Sequence, residues 1–420
     1  MSRRRFSGRS NSPCYRRLAA EPLESRQLLT ITVNTLVDEA DGSITDGDVS
    51  LRDAIALAPS GETIDFSVTG TILLTLGELV IDKDLTINGP GAELLTIDGI
   101  GNDPTPDEPL NGDGSRLFHI AGNPGETPVA LKNLTLTGGR SDSSGGAVAA
   151  EHLFMYRCVV TGNYARGNTL GGGVYITSSA GRVSIIQESV FANNYATGGG
   201  GGIGALSYAD GNIVILDSAV HGNQMPVSGI GGGVSLNTRD NGRIFASGLM
   251  IYENTALNGG GLAISTNYVP EGEPTPSIHV TRSTMIENQA DRGGGMTIQS
   301  RSGTVRIDAV TMSSNIALST GGGLAIWPLA VGTISLSNAT ITDNVAGSIR
   351  SFNSAGAGIW QDVRAEILLQ GSMVAGNHHG NGTPDDVLMS EEGYGFDPTS
   401  HHNLIGVDTG LTGITNGTNG

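Results

Sequence analysis

The chain has 420 residues, a formal net charge of −18, 64 glycines and two cysteines. A surface this acidic repels nucleic acid and anionic membranes, and it favours metal cations or basic partners. Two cysteines exclude a disulfide framework. The sequence has no run of 18 apolar residues, so it predicts no membrane-spanning helix.

Residues 1–30 form a basic arm that is predicted to be disordered. Residues 1–26 carry seven Arg and two Glu, a balance of +5, so the remaining chain has a charge of −23. The run from Leu23 to Leu29 resembles the LE-x-R-x-LL signature that opens many large exported proteins of planctomycete-type bacteria. The resemblance implies export to the extracellular space or the outer cell surface. The alternative is a basic tail that binds nucleic acid, which the acidic remainder disfavours.

Residues 31–120 begin with a short strand and an acidic loop, and a helix follows. Ser50 is a suitable N-cap residue, Asp53 lies three positions later as its capping-box partner, and Pro59 ends the helix. The apolar residues of this segment fall on one helical face. We therefore expect the helix to cover the open end of whatever structure follows it.

This segment resembles the CSLREA domain of bacterial β-helix surface proteins. The resemblance rests on spaced blocks at residues 32–35, 48–55, 61–66 and 85–91. Val49 stands where the family has Cys, and Asp53 where it has Glu, so any role of that thiol is absent. The resemblance implies that residues 31–120 form an N-terminal cap and the first, irregular coils of a β-helix.

Residues 121–380 repeat a unit of about 30 residues. Each unit contains a glycine cluster, three short stretches with apolar residues at alternate positions, and a closing asparagine that follows an apolar residue by three positions. The closing asparagines, spaced 27 to 34 residues apart, are Asn163, Asn194, Asn223, Asn254, Asn288, Asn315, Asn344 and Asn377.

The unit predicts an all-β fold, a right-handed parallel β-helix with three short strands per coil and an N-terminal capping helix. Alternating apolar residues indicate strands with one buried face, and so small a unit buries that face only by stacking on its neighbours. A propeller blade, the alternative, needs four strands in about 40 to 50 residues. The regular units also resemble polymorphic outer-membrane protein repeats. We expect the asparagines to form a structural ladder, with Gly and Asn adopting left-handed backbone angles at the corners.

Residues 381–420 predict a last, incomplete coil and resemble the final region of CSLREA-type proteins. Asp385 and Asp386 are the adjacent acidic pair nearest to His378 and His379, and we expect both to be exposed loop acids. A metal site made from these groups with His401 and His402 is the alternative.

Two acidic loops are candidate Ca²⁺ sites, because Ca²⁺ prefers hard oxygen ligands. Neither loop has the spacing of an EF-hand, so solvated acidic loops are the alternative, and no cofactor is required by the sequence. The first loop carries Asp38, Asp41, Asp46 and Asp48, and the second carries Asp103, Asp107 and Asp113.

Three aromatic residues on outward strand positions are candidate ligand contacts. Tyr175 and Trp360 share the position two residues after their glycine clusters, and Trp327 lies further along its own strand. Exposed aromatic rings stack on sugars. The other residues of that column are small, so the face is either a shallow glycan groove or a surface under a loop.

The sequence contains no recognisable catalytic constellation. The leading hypothesis is an exported β-helix protein with a structural, adhesive or glycan-contacting role, whose partner is an extracellular glycan or cell-surface component. The alternative is a carbohydrate-active β-helix enzyme, a polysaccharide lyase or glycoside hydrolase acting on acidic polysaccharide. Parallel β-helices host both classes, so the fold alone does not decide between them.

Overall fold

The structure is a computed structural model of the 420-residue chain. It describes residues 30–108, 111, 113–121, 128–167, 169–225, 229–269, 272–328, 332–347, 356–362, 367–389 and 395–407. The predicted export arm falls on residues 1–29, outside the described residues, and so does part of the predicted last coil.

The N-terminal segment folds as a strand, Ile31–Val33, and a helix, Leu51–Leu57. The Ser50 side chain accepts a hydrogen bond from the Asp53 backbone N–H at 3.0 Å and donates one to the Asp53 carboxylate at 2.8 Å. This confirms Ser50 as the N-cap residue and Asp53 as its partner, although Asp53 accepts the Ser50 hydroxyl and not the backbone N–H of a capping box. The helix packs against the first strands of two sheets, Ile31–Val33 and Leu79–Ile81.

Three long parallel sheets form the body of the molecule, and each coil contributes one strand to each sheet in the order I, II, III. Sheet I consists of Leu79–Ile81, Phe118–Ile120, Val148–Glu151, Val174–Ser178, Ile203–Ser207, Val234–Thr238, Leu262–Thr266, Met296–Ser300, Leu324–Pro328, Ile359–Gln361 and Val387–Met389. Sheet II consists of Ile31–Val33, Glu62–Phe66, Leu85–Asn88, Val129–Lys132, Leu153–Tyr156, Val183–Gln187, Asn212–Leu216, Arg243–Ser247, Ser277–Thr281, Thr304–Asp308, Thr333–Ser337 and Ile367–Gln370. Sheet III consists of Gly70–Leu73, Leu95–Asp98, Thr135–Thr137, Val159–Thr161, Val190–Ala192, Ala219–His221, Met250–Tyr252, Thr284–Ile286, Thr311–Ser313, Thr340–Thr342, Met373–Val374 and Leu404–Ile405.

Short strands that follow the strands of sheet III form two further small sheets, which the three-strand unit did not predict. The first contains Arg140–Ser141, Tyr164–Ala165 and Tyr195–Ala196. The second contains Thr255–Asn258, Gln289–Arg292, Ile316–Thr320, Val345–Ala346 and His378–His379. A 3₁₀ turn, Ile100–Asn102, lies among the early coils.

Alternate residues of each strand point into the coil. In Val174–Ser178, for example, Val174 and Ile176 are fully buried and Tyr175 points outward. The inward residues make one continuous apolar core from Val33 to Phe396. With its stacked parallel sheets, the molecule is a right-handed parallel β-helix, which confirms the predicted fold class.

The eight closing asparagines stack in a single buried column. The side-chain amide of each of the first seven donates to the side-chain oxygen of the next asparagine, at 2.9 to 3.1 Å. That oxygen also accepts the backbone N–H of the preceding asparagine. The amide donates as well to a backbone carbonyl in the coil before it, such as that of Phe191 for Asn223 at 2.9 Å. Each asparagine thus satisfies buried polar groups of three consecutive coils.

The left-handed corner residue is the one before each asparagine, so the expectation that the asparagines themselves adopt this conformation was wrong. All eight preceding residues have positive φ, between 55° and 80°, and five of them are not glycine. A non-glycine residue costs of order 1 kcal/mol there, which the surrounding hydrogen bonds offset. The asparagine itself stays free to aim its amide along the column.

Asp386 ends the column, so the expectation that it is an exposed loop acid was wrong. It is 1% exposed, and its Oδ1 accepts both the backbone and the side-chain N–H of Asn377 at 2.8 Å. Its Oδ2 accepts the backbone N–H of Val407 at 2.8 Å. A carboxylate accepts hydrogen bonds but does not donate them. Asp386 therefore accepts the last hydrogen bonds of the column and donates none.

Exchanging Asn and Asp is expected to have unequal effects at the middle and the end of this column. Asn254→Asp removes the donor to Asn288 and buries a charge, and should lower the free energy of unfolding by about 3 kcal/mol. Asp386→Asn keeps the acceptor for Asn377 and should cost only about 1 kcal/mol. Urea unfolding followed by circular dichroism measures both, and equal losses would contradict the terminal role of Asp386.

Candidate functional site

The outer face of sheet I carries all three aromatic candidates. The strand register places Tyr175 and Trp360 in one outward column and Trp327 in the column beside it. Six strand steps separate Tyr175 from Trp360, which is about 29 Å at roughly 4.8 Å per step. The three aromatic residues therefore do not form a single site.

The middle of this face is covered. The small outward residues Ser235, Ala263 and Ala325 are 0 to 3% exposed. A side chain on Gly204 would meet the Leu170 side chain at 2.8 Å, because the segment before each glycine cluster packs over the next strand. Of the two alternatives, this stretch is a surface under a loop and not an open groove.

Trp327 and Trp360 pack against each other at the C-terminal end of sheet I. Their rings meet edge to face with centroids 5.4 Å apart, and the Arg292 guanidinium lies 5.8 Å from the Trp327 ring. Trp360 is only 9% exposed, so its expected role as an exposed aromatic was wrong. Packing against a second tryptophan removes most of its surface from solvent.

A groove of about 540 Å³ opens on sheet I near its N-terminal end. Outward residues of neighbouring strands form its base, and the turns that follow sheet I form one wall. The lining side chains with functional chemistry are His119, Glu151, Tyr175, Thr177, Tyr208, Arg239 and Asp240. Tyr175, one of the sequence-predicted candidates, lies among them.

Tyr175 is surrounded by both charged and aromatic groups. Burial raises the pKa of its phenol, Tyr208 and Glu151 raise it further, and Arg239 partly opposes them. The hydroxyl is therefore protonated at neutral pH and can both donate and accept hydrogen bonds. Tyr175 offers a ring face and a hydroxyl in the same groove.

Glu78 contacts two side chains beside the groove, one of which, His119, lines it. Glu78 Oε2 lies 2.8 Å from Arg116 Nε, and Glu78 Oε1 lies 3.4 Å from His119 Nδ1. Arg116 also donates to the backbone carbonyl of Ser144 at 3.1 Å. These contacts fix His119 in the wall and neutralise Arg116.

The two acidic residues that line the groove, Glu151 and Asp240, come from coils three strand steps apart. The strand register places Glu151, Thr177, Leu206 and Asn237 side by side on four successive strands of sheet I. Asp240 follows Asn237 by three residues. Three strand steps are about 14 Å. Inverting glycosidases separate their carboxyl groups by about 6.5 to 9.5 Å and retaining ones by less. The spacing of the coils that carry Glu151 and Asp240 exceeds both separations.

Asp38, a candidate Ca²⁺ ligand, is engaged elsewhere. Its carboxylate makes a two-point contact with Arg52 at 2.8 and 3.1 Å, and it accepts the backbone N–H groups of Thr75 and Leu76 at 2.7 and 3.0 Å. Burial alone would raise the pKa of Asp38, but these hydrogen bonds outweigh it and lower the pKa below its ordinary value. Asp38 therefore clamps the acidic loop to the first coils.

Asp103 and Asp113 lie in a second clamp. Asp103 forms an ion pair with Arg140 and accepts the Thr105 N–H at 2.9 Å, and Asp113 accepts the Thr105 hydroxyl at 2.8 Å. The remaining candidates, Asp41, Asp46, Asp48 and Asp107, are exposed. Within the described ranges, no three His, Cys, Asp or Glu side chains converge as a metal site requires.

The histidines near the C-terminal end are divided between separate contacts. His379 Nε2 lies 3.1 Å from Asp385 Oδ2, and the His401 and His402 rings pack on each other with centroids 4.9 Å apart. Asp385 has a side chain only 13% exposed, so the expectation that it is an exposed loop acid was also wrong. The acidic pair thus closes the last coil.

Sequence reasoning missed most of the groove. Glu151 and Thr177 lie in the outward column next to Tyr175, a relation that the register reveals. Tyr208, Arg239 and Asp240 belong to turns of later coils, one or two residues past the paired strands. Aligning the residues of each turn with those of the preceding coil would have identified these three residues.

The fold and the groove define this chain as a parallel β-helix with a polar–aromatic groove on one outer sheet. No protein-family model and no curated protein matches the chain significantly. A solved structure, the catalytic domain of a GH87 α-1,3-glucanase D1069A variant in complex with tetrasaccharides, is similar at 12% identity and a TM-score of 0.42. The match covers 92% of this chain and 70% of that one. Within the described residues, no helix is long and apolar enough to cross a membrane.

Replacing Asp38 tests the clamp at the N-terminal cap. Asp38→Ala leaves Arg52 without its partner and should lower the free energy of unfolding by about 3 kcal/mol at pH 7. Because folding lowers the pKa of Asp38, its stabilisation is fully present above the ordinary value of 3.8 and is lost as the pH falls through the folded-state value.

Urea unfolding of both proteins at pH 7 and pH 3 measures this difference. The difference in the free energy of unfolding between wild type and Asp38→Ala should be smaller at pH 3 than at pH 7. The control Asp107→Ala, at an exposed position, should have the stability of wild type at both pH values. A gap that stays constant with pH would show that the Asp38 charge contributes nothing.

Proposed function

We propose that this chain is an exported β-helix protein that contacts a glycan through the groove around Tyr175. One observation carries the proposal: the groove places two tyrosines and several hydrogen-bonding side chains on the open part of sheet I. The likeness of the N-terminal arm to an export signature supports an extracellular or cell-surface location. A structural or adhesive role follows from holding a glycan on a rigid rod.

The chemistry of the groove suits a sugar. Tyrosine presents an apolar ring that stacks on the C–H face of a sugar and a hydroxyl that bonds its polar edge. Ligand grooves combine such surfaces with a few placed polar groups that set orientation. Glu151 and Asp240 accept hydrogen bonds from sugar hydroxyls, and Arg239 donates to them.

Binding without turnover is the function that the groove supports best. The spacing of Glu151 and Asp240 disfavours hydrolysis by a carboxylate pair, as argued above. A Ca²⁺-dependent lyase would need clustered carboxylates near a strong base. Ca²⁺ in the acidic loop of Asp41, Asp46 and Asp48 stays a prediction, separate from the groove.

Truncation of Tyr175 should weaken glycan binding. Tyr175→Ala removes the stacking face, and we expect at least a tenfold loss of affinity, about 1.4 kcal/mol, in isothermal titration calorimetry with a glycan selected from an array. Tyr175→Phe keeps the face and should lose less. Tyr268→Ala is the matched control, since Tyr268 is 63% exposed outside the groove.

Trp327→Ala distinguishes the two ends of sheet I. Five strand steps, about 24 Å, separate the strand of Trp327 from the strand of Tyr175, so this variant should bind as wild type does. If Trp327→Ala abolished binding and Tyr175→Ala did not, the glycan contact would lie at the tryptophan pair. Turnover of any polysaccharide that disappears with chelator would replace the binding proposal with a Ca²⁺-dependent enzyme.

A further inference from the structure

We infer that the groove selects a neutral glycan and disfavours polyanionic ones. The inference rests on the proposed function and adds the class of ligand. It also departs from the acidic polysaccharide that the sequence suggested for an enzyme. The charges of the groove, the charge of the whole chain and the hydrogen-bonding groups of the groove all favour an uncharged ligand.

The groove does not concentrate positive charge. Arg239 is the arginine among the lining residues. Arg116, which is outside the lining, forms an ion pair with Glu78 at 2.8 Å. Glu151 and Asp240 line the same groove and carry opposite charge. Sites for uronates, sulfates or phosphates instead present several arginines in bidentate reach of the anion. One arginine beside two carboxylates does not make such a site.

The net charge of the whole chain also disfavours the binding of a polyanion. Residues 27–420 carry −23, and the full chain carries −18. A field of this sign repels a polyanion before it reaches the groove, and it adds nothing to the binding of an uncharged polymer. The cost for a polyanion grows as the ionic strength falls, because screening weakens.

The groove instead offers groups that match hydroxyls. Tyr175 and Tyr208 each provide a hydroxyl that donates and accepts. Thr177 is 8% exposed, and its hydroxyl has no hydrogen-bond partner among the residues that the structure describes. A buried hydroxyl without a partner is costly, and a sugar hydroxyl or a bridging water in the groove would provide one. This combination favours an uncharged polyol.

The test compares three soluble polymers of similar length with the full chain: a neutral β-glucan, polygalacturonate and chitosan. Calorimetric titrations at about 50 mM and about 500 mM NaCl separate charge effects from the rest. We expect the neutral glucan to bind with an affinity that changes less than about twofold between the two salts. Polygalacturonate should bind at least about tenfold more weakly at low salt.

The variants Glu151→Gln and Arg239→Gln make the outcomes distinct. Glu151→Gln removes a repulsive charge and should improve polygalacturonate binding at low salt. The contrary result is that polygalacturonate binds best, with its binding abolished both by Arg239→Gln and by high salt. In that case the inference would be wrong and the glycan-binding function would stand. A preference for chitosan that is lost at high salt would also show that the inference is wrong and that the glycan-binding function stands. If no polymer bound, the proposed function itself would fail.

Discussion

The hydrogen bonding of each coil to the next, in strict register, is the constraint on which the rest of the structure depends. A one-residue slip between parallel strands would turn every inward residue outward. Backbone ladders fix the spacing of the coils, but the buried asparagine column ties each corner to its neighbours through side chains as well. That column ends where Asp386 replaces an amide with an acceptor that passes no bond onward. Because of this register, residues that are unevenly spaced in the sequence lie in outward columns, one strand spacing apart.

Function in such a molecule arises where the outward columns depart from their regular pattern. Over most of sheet I the outward residues are small, and the segment before each glycine cluster covers them. Around Tyr175 the outward residues include the charged Glu151 and the large Leu206, and side chains from turns of later coils lie beside them. A groove between rigid coils is preorganised, because its walls are held by the same ladders that hold the fold. The ion pairs of Glu78 extend that rigidity to His119.

The sequence predicted those features that repeat or that depend on local rules. The apolar alternation, the asparagine spacing and the Ser50 N-cap each follow from residues close together in the chain, and the structure has all three. Asp386 was missed because it occupies an asparagine position after only nine residues, far short of one repeat. The burial of Trp360 depends on a partner one coil away, and the groove depends on side chains from several coils. Contacts of this kind need the three-dimensional register, which residue spacing alone does not supply.

The central claim is that the outer face of sheet I binds a glycan at Tyr175 and nowhere else along the rod. A crystal structure of the full chain with a neutral oligosaccharide tests it most directly. The account predicts density for sugar rings against Tyr175, with hydroxyls in hydrogen-bond reach of Glu151 or Arg239. Sugar density at the Trp327–Trp360 pair, with the Tyr175 groove empty at saturating ligand, would contradict it.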